Sequence, residues 1–259
     1  MKAIYDNIGI GYSKHRCADP RIVEAIIDLI GLSIPATLAE IGAGTGNYSF
    51  VFADLGFRVL AVEPSVTMGN QARPHVGIEW HFGTAEHIPL KDGSVDGVVC
   101  ILAAHHFSSL EAAVSEMARI CSDGPIVWFT FDPRKAESCW LHDYFPAVWE
   151  TSYKIFPPIE DLYNLIETYS QRSVSVTSWP IPHDLQDCFM AAGWRTPKMY
   201  LDPGVQACMS GIALAEPVQL EEGLSRLRLE IESGEWKSKY GHLLKRETVD
   251  WGYRFLKVQ

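Results

Sequence analysis

A doubly wound α/β sheet, with helices on both faces of mostly parallel strands, is the fold class that this 259-residue sequence predicts. Two observations predict it. Short apolar runs alternate with amphipathic stretches through the first half of the chain. Three glycines within five residues, Gly42, Gly44 and Gly46, also follow the first of those runs directly, in LAEIGAGTGNYSF.

Taken in order, IVEAIIDLIGL has helical spacing and stops at Gly31, and ATLAEIG is a short buried strand. NYSFVFADLG is a helix closed by Gly56, and FRVLAVEPS is the next strand, which completes a βαβ unit. The alternation continues through a helix over Val66 to Arg73, the strands IEWHFGTA and VDGVVCILAA, the helix SLEAAVSEMARIC and the strand PIVWFTFD. Beyond Asp132 the rhythm breaks. Aromatic clusters such as CWLHDYFPAVWE predict a helical insertion over residues 136–172, before the strand RSVSVTSW. A further helical piece, Leu220 to Leu244, precedes a terminal strand, WGYRFLKV, and no internal repeat or low-complexity linker is visible. One domain spanning residues 1–259 is expected.

Composition excludes several classes of function. The 32 acidic against 22 basic residues give a formal charge of -10, the wrong sign for gripping a nucleic-acid backbone. The longest uncharged apolar run, VVCILAA, is far too short to span a bilayer, and the first residues hold no apolar signal core, so no membrane partner and a cytoplasmic location are expected. Six cysteines without metal or C-x-x-C spacing predict reduced thiols, with neither disulfides nor a metal site.

The glycine loop sits at the carboxyl end of the first strand, where α/β sheets receive ligands. A dinucleotide loop needs a small residue three positions after the second glycine, and here that residue is Asn47. Glu40, two residues before Gly42, opposes a pyrophosphate and suits a cation. Glu63 ends the second strand, where a carboxylate can accept from both hydroxyls of a ribose. A ribose and a cation without a diphosphate describe S-adenosylmethionine (SAM).

EIGAGTG, VLAVEPS, GTAEHIPLKDGSVDGVV and LAAHHF, in this order and at these spacings, resemble the successive motifs of the class I SAM-dependent methyltransferases. The likeness is to the small-molecule branch called methyltransferase type 11, and especially to proposed methyltransferases of natural-product and antibiotic pathways. It covers nearly the whole chain and implies a Rossmann-like sheet of order 3-2-1-4-5-7-6 with the last strand antiparallel. It also implies an N-terminal lid over residues 1–20 and a substrate cap over 136–172.

Residue by residue, the resemblance implies that Gly42, Gly44 and Gly46 face the cofactor. Glu40 then lies near its amino-acid end, and Glu63 binds the ribose. Ala85 and Glu86 match the adenine-reading stretch, although Thr84 stands where many relatives have Asp. Ala103 passes the methionine portion, while Tyr12 and Arg16 match a lid whose Arg pairs with the cofactor carboxylate.

For the chemistry, His105 and His106 are candidate bases just past the fourth strand, and they equally suit loop histidines satisfied by the backbone. Asp132 and His142 are weaker candidates. Trp140, Tyr144 and Phe145 of the cap are expected to contact a small-molecule acceptor. The expected activity is SAM-dependent methylation by a monomer or homodimer. A SAM-binding protein without methyl transfer and a nicotinamide-dependent oxidoreductase are the alternatives.

Overall fold

The computed structural model describes residues 16–136 and 139–259. Among the described residues the strands are β1 (Thr37–Ile41), β2 (Arg58–Val62), β3 (Ile78–His81), β4 (Gly97–Ile101), β5 (Ile126–Phe131), β6 (Val174–Ser178), β7 (Ile181–Pro182), β8 (Thr248–Val249) and β9 (Tyr253–Val258). Among the described residues, the helices of at least eight residues are α1 (Pro20–Ile30), α2 (Asn47–Asp54), α3 (Leu110–Ile120), α4 (Pro146–Ile155), α5 (Ile159–Ser170) and α6 (Pro217–Ser233).

Seven strands form one sheet in the order β3-β2-β1-β4-β5-β9-β6, and β7 pairs with β8 separately. The pairings from β3 through to β5 are all parallel, whereas β9 runs antiparallel to both β5 and β6. With β9 counted as the seventh strand of the sheet, this is the expected order with its last strand reversed.

Both faces of the sheet are covered, so the inner strands are largely buried and mostly apolar rather than alternating. Val127, Phe129 and Phe131 of β5 join α1, α2 and buried side chains of residues 139–149 in one core. Ile126 and Trp128 face the other way and pack with Met117 of α3 and Leu162 and Ile166 of α5 in a second core. Each helix begins and ends for local reasons. Asp19 caps α1 by accepting from Arg21 N, Pro20 occupies its first turn, and Gly31 ends it at φ +63°.

Three expectations change. The helix expected over Val66 to Arg73 is a single turn, Val66–Gly69, capped by Ser65 Oγ, because Gly69, Asn70 and Pro74 all favour its end. The stretch 136–172 divides: α5 turns its stripe of Ile159, Leu162 and Ile166 onto the α3 side of the sheet. Residues 139–156 pack instead with aromatics from residues 189–251. The predicted helical piece over Leu220 to Leu244 is interrupted at Gly234, which takes φ +81° and ends α6. Among the described residues no helix is long and apolar enough to cross a membrane.

Candidate active site

A cavity of about 330 Å³ opens at the carboxyl ends of β1, β2 and β4. The glycine loop forms its floor. Gly42 N and Ala43 N both donate to Val62 O, at 2.9 and 3.1 Å, which draws the loop across the end of β2. Gly42 takes φ +74°, and a Cβ there would lie 2.5 Å from the Ala103 Cβ, so only glycine lets β1 and β4 close this tightly. Gly46 also has positive φ and starts α2, but it lies behind the cavity wall, against Trp80.

Glu63 directly follows β2 with its carboxylate gripped by backbone: Oε2 accepts from Gly44 N and Oε1 from Ser65 N, each at 2.9 Å. It is 7% exposed and lines the cavity. Glu40 points into the cavity from β1 and is 2% exposed, with Ser49 Oγ donating to it. Burial pushes its pKa up to about 8, the Ser49 hydrogen bonds oppose that rise, and the like charge of Glu63 adds to it.

Ala85, Glu86 and Ala103 line the same cavity. Glu86 Oε1 also accepts from Ser108 Oγ at 2.9 Å and Ser109 N at 3.2 Å, which ties it to the start of α3. Burial would raise its pKa, but these hydrogen bonds and one from Thr84 hold it below the usual range. Leu102, between β4 and Ala103, lines the cavity with φ +50°, a conformation that a leucine adopts only where its surroundings enforce it.

Arg16 reaches the cavity from the N-terminal side, and Tyr12 lies outside the described residues. The Arg16 guanidinium donates through Nε and Nη2 to both oxygens of Asp187, while its carbonyl accepts from Asn47 Nδ2 at 2.9 Å. Asp187, 1% exposed, also accepts from Tyr48 OH at 3.0 Å. Sequence reasoning missed both Asp187 and Tyr48. Asp187 stands 171 positions from Arg16 with no local motif, and Tyr48 reads as an ordinary core residue of α2.

His106 lines the cavity, and burial lowers its pKa to about 4. His105 stands behind it, with ring centroids 3.8 Å apart, and packs in a tilted arrangement on Phe156 at 4.4 Å. Its Nδ1 is buried without a hydrogen-bond partner, and burial together with the charges of His106 and Arg16 drives its pKa well down.

The cap residues lie elsewhere. Trp140, Tyr144 and Phe145 are 1 to 2% exposed and do not line the cavity. Trp140 Nε1 donates to Trp194 O at 2.8 Å and Tyr144 OH donates to Glu230 at 2.6 Å. They are buried core residues because residues 189–251 bring them aromatic and polar partners. Asp132 is structural too: it accepts from Arg134 N and from Ile159 N, both at 3.0 Å, capping a 3₁₀ turn and α5 together. His142 packs on Trp149, 4.2 Å between ring centroids. Among the described residues no group of three or more metal-binding side chains converges.

Residues 39–129 match the family described as Methyltransferase domain. A proposed methyltransferase from an antibiotic biosynthesis pathway of Anabaena variabilis is 46% identical, covering 95% of this chain and 99% of its own, and superimposes with a TM-score of 0.92. The chain belongs to the class I SAM-dependent methyltransferases. The ubiquinone/menaquinone biosynthesis C-methyltransferase UbiE of Rubrivivax gelatinosus is 26% identical over 184 residues of this methyltransferase, 70% of the chain, and that match spans 66% of UbiE. Phosphoethanolamine N-methyltransferase 2 of Haemonchus contortus, solved with S-adenosyl-L-methionine, shares the fold at 15% identity, with a TM-score of 0.58 over 92% of this chain and 52% of its own.

The cofactor is SAM, and the residues present fit it. A bare backbone floor allows close approach, a strand-end carboxylate can accept from ribose hydroxyls, and a second buried carboxylate can face a cation.

Proposed function

We propose that this methyltransferase transfers the methyl group of SAM to a small-molecule acceptor in natural-product metabolism. The observation that carries the proposal is the convergence of the glycine loop, Glu63 and Glu40 on one cavity, a combination suited to an adenosine joined to a cation. The antibiotic-pathway description of the Anabaena relative supports the metabolic setting.

In this reading Gly42 and Gly44 admit the cofactor, with Gly46 starting the helix behind them, and Glu63 takes the ribose hydroxyls. Ala85 and Glu86 meet the adenine, while Glu40, Ala103 and Arg16 face the amino-acid portion. Bound SAM supplies a sulfonium leaving group, so methyl transfer needs little beyond a well-placed nucleophile. As the nucleophile bonds to the methyl carbon and the carbon–sulfur bond breaks, any acceptor proton leaves to a nearby base or to water.

Ile101, Leu102 and Phe107 give the cavity apolar wall, and the acidic charge balance favours a neutral or cationic acceptor that is partly apolar. His106, with its pKa near 4, is neutral throughout pH 6 to 9 and is a weak proton acceptor there. Its part is therefore to hold the acceptor by hydrogen bonding, with His105 packed behind it. The test is release of S-adenosylhomocysteine with a panel of phenolic, amine and carboxylate acceptors. We expect turnover with one of these classes and no histidine ionisation in the pH profile between 6 and 9. SAM binding with no release on any acceptor would identify a binding protein instead.

Glu40 provides a second prediction. Its folded pKa of about 8 stands above the ordinary carboxylate value, so the folded chain holds a proton that the unfolded chain has released. Stability of the unliganded protein should therefore decline as pH rises from about 4.5 to 8. A cation placed beside Glu40 should expel that proton. Calorimetry at pH 7 in buffers of different ionisation enthalpy should show proton release with SAM, none with the uncharged 5′-methylthioadenosine, and none in Glu40→Gln. Heats that do not depend on the buffer would place the cation elsewhere.

A further inference from the structure

We propose that Asp187 is the positioning residue for Arg16, fixing the plane of its guanidinium so that it meets the α-carboxylate of the cofactor. The proposal rests on the reading of Arg16 as the partner of that carboxylate.

An arginine on an N-terminal segment has a long side chain with many rotamers, and an unsupported guanidinium loses entropy each time it engages a ligand. Asp187 removes that freedom beforehand. It engages Nε and Nη2 together, and a bidentate carboxylate sets the orientation of the whole planar fork. Nε and Nη2 are engaged in this way, and in this proposal the cofactor carboxylate meets the fork whose plane they set.

Asp187 is itself anchored. Tyr48 OH donates to its Oδ2 from the first turn of α2. The neighbouring Asn47 holds the Arg16 carbonyl, so one helical turn references both the backbone and, through Asp187, the side chain of Arg16. That turn is the one the glycine loop leads into, and it therefore registers Arg16 to the floor of the cavity. The loop carrying Asp187 is tied in turn to the start of α1: Gln186 N donates to Asp19 Oδ2 at 2.9 Å, and Arg21 Nη1 to Asp184 Oδ1 at 2.6 Å. A salt bridge serving the fold alone has no reason to line a ligand cavity, yet Arg16, Tyr48 and Asp187 all do so.

The experiment compares S-adenosylhomocysteine, which carries the α-carboxylate, with 5′-methylthioadenosine, which shares its thioadenosine part and lacks the amino-acid portion. Binding of both is measured by calorimetry on the full chain, for the parent protein, Asp187→Asn, Tyr48→Phe and Arg16→Met. Asp187→Asn should weaken S-adenosylhomocysteine about tenfold and shift 5′-methylthioadenosine less than twofold. Tyr48→Phe should move the same ratio in the same direction by a smaller factor, which provides a second reading if the Asn variant folds poorly. Equal losses for the two ligands would overturn the proposal, since general damage to the site weakens the adenosine part as well. A gain in S-adenosylhomocysteine affinity would also overturn it, by showing that Asp187 competes for Arg16 instead of presenting it. If Arg16→Met leaves the ratio unchanged, the carboxylate reading of Arg16 itself fails. If Arg16→Met moves the ratio and Asp187→Asn does not, only the role of Asp187 fails.

Discussion

Gly42→Val should lower the affinity for S-adenosylhomocysteine at least a hundredfold, roughly 3 kcal/mol. Two effects combine at this position. The backbone sits at φ +74°, which costs a side chain with a Cβ on the order of 1–2 kcal/mol, and more when it is branched. The new Cβ would also stand 2.5 Å from the Ala103 Cβ, so either the loop or the end of β4 must retreat. Both are walls of the cavity. Gly234→Val separates the two effects, because Gly234 has φ +81° with nothing within 4 Å of the added atom. It should cost stability through the backbone alone and leave cofactor affinity intact. Calorimetry on both variants, with unfolding temperatures as the control, decides the matter. A folded Gly42→Val protein that binds normally would mean that the cofactor does not need this close approach.

Glu63→Ala is the second large effect, with an expected loss of about 2–4 kcal/mol in cofactor binding. The carboxylate does more than face a ribose. It already accepts from Gly44 N and Ser65 N, so its removal strips two backbone N–H groups of their acceptor beneath the bound ligand. Glu63→Gln tests this double duty. An amide keeps one oxygen but turns a donor towards one of those N–H groups, so it should recover only part of the loss. Equal affinity in the parent and Glu63→Ala proteins would reject the ribose assignment.

The part of the site that was legible in the sequence is the part built from neighbours in the chain. β1, the glycine loop, α2 and β2 form one βαβ unit, in which spacing alone puts Glu40, Gly42, Gly44 and Glu63 at the carboxyl ends of two adjacent strands. Local pattern also shows that Trp140, Tyr144 and Phe145 are strongly apolar. What they would pack against was hidden, because Trp194, Tyr200 and Glu230 lie far along the chain. The stripe of α5 was equally visible, but periodicity does not say which surface a stripe meets, and here it meets α3. Asp187 is the extreme case. A single acid in IPHDLQDCF carries no pattern, and its meaning comes only from the fold that carries it to Arg16 and Tyr48.

The place of β9 between β5 and β6 has a consequence for how the chain survives its own synthesis. β5 reads IVWFTF, is buried along its whole length, and its open edge is closed only by residues 253–258. Until those residues leave the ribosome, a hydrophobic, β-prone, uncharged edge stays open to pairing with other chains. Before then the nascent protein depends on the cap, on chaperones, or on speed to avoid aggregation.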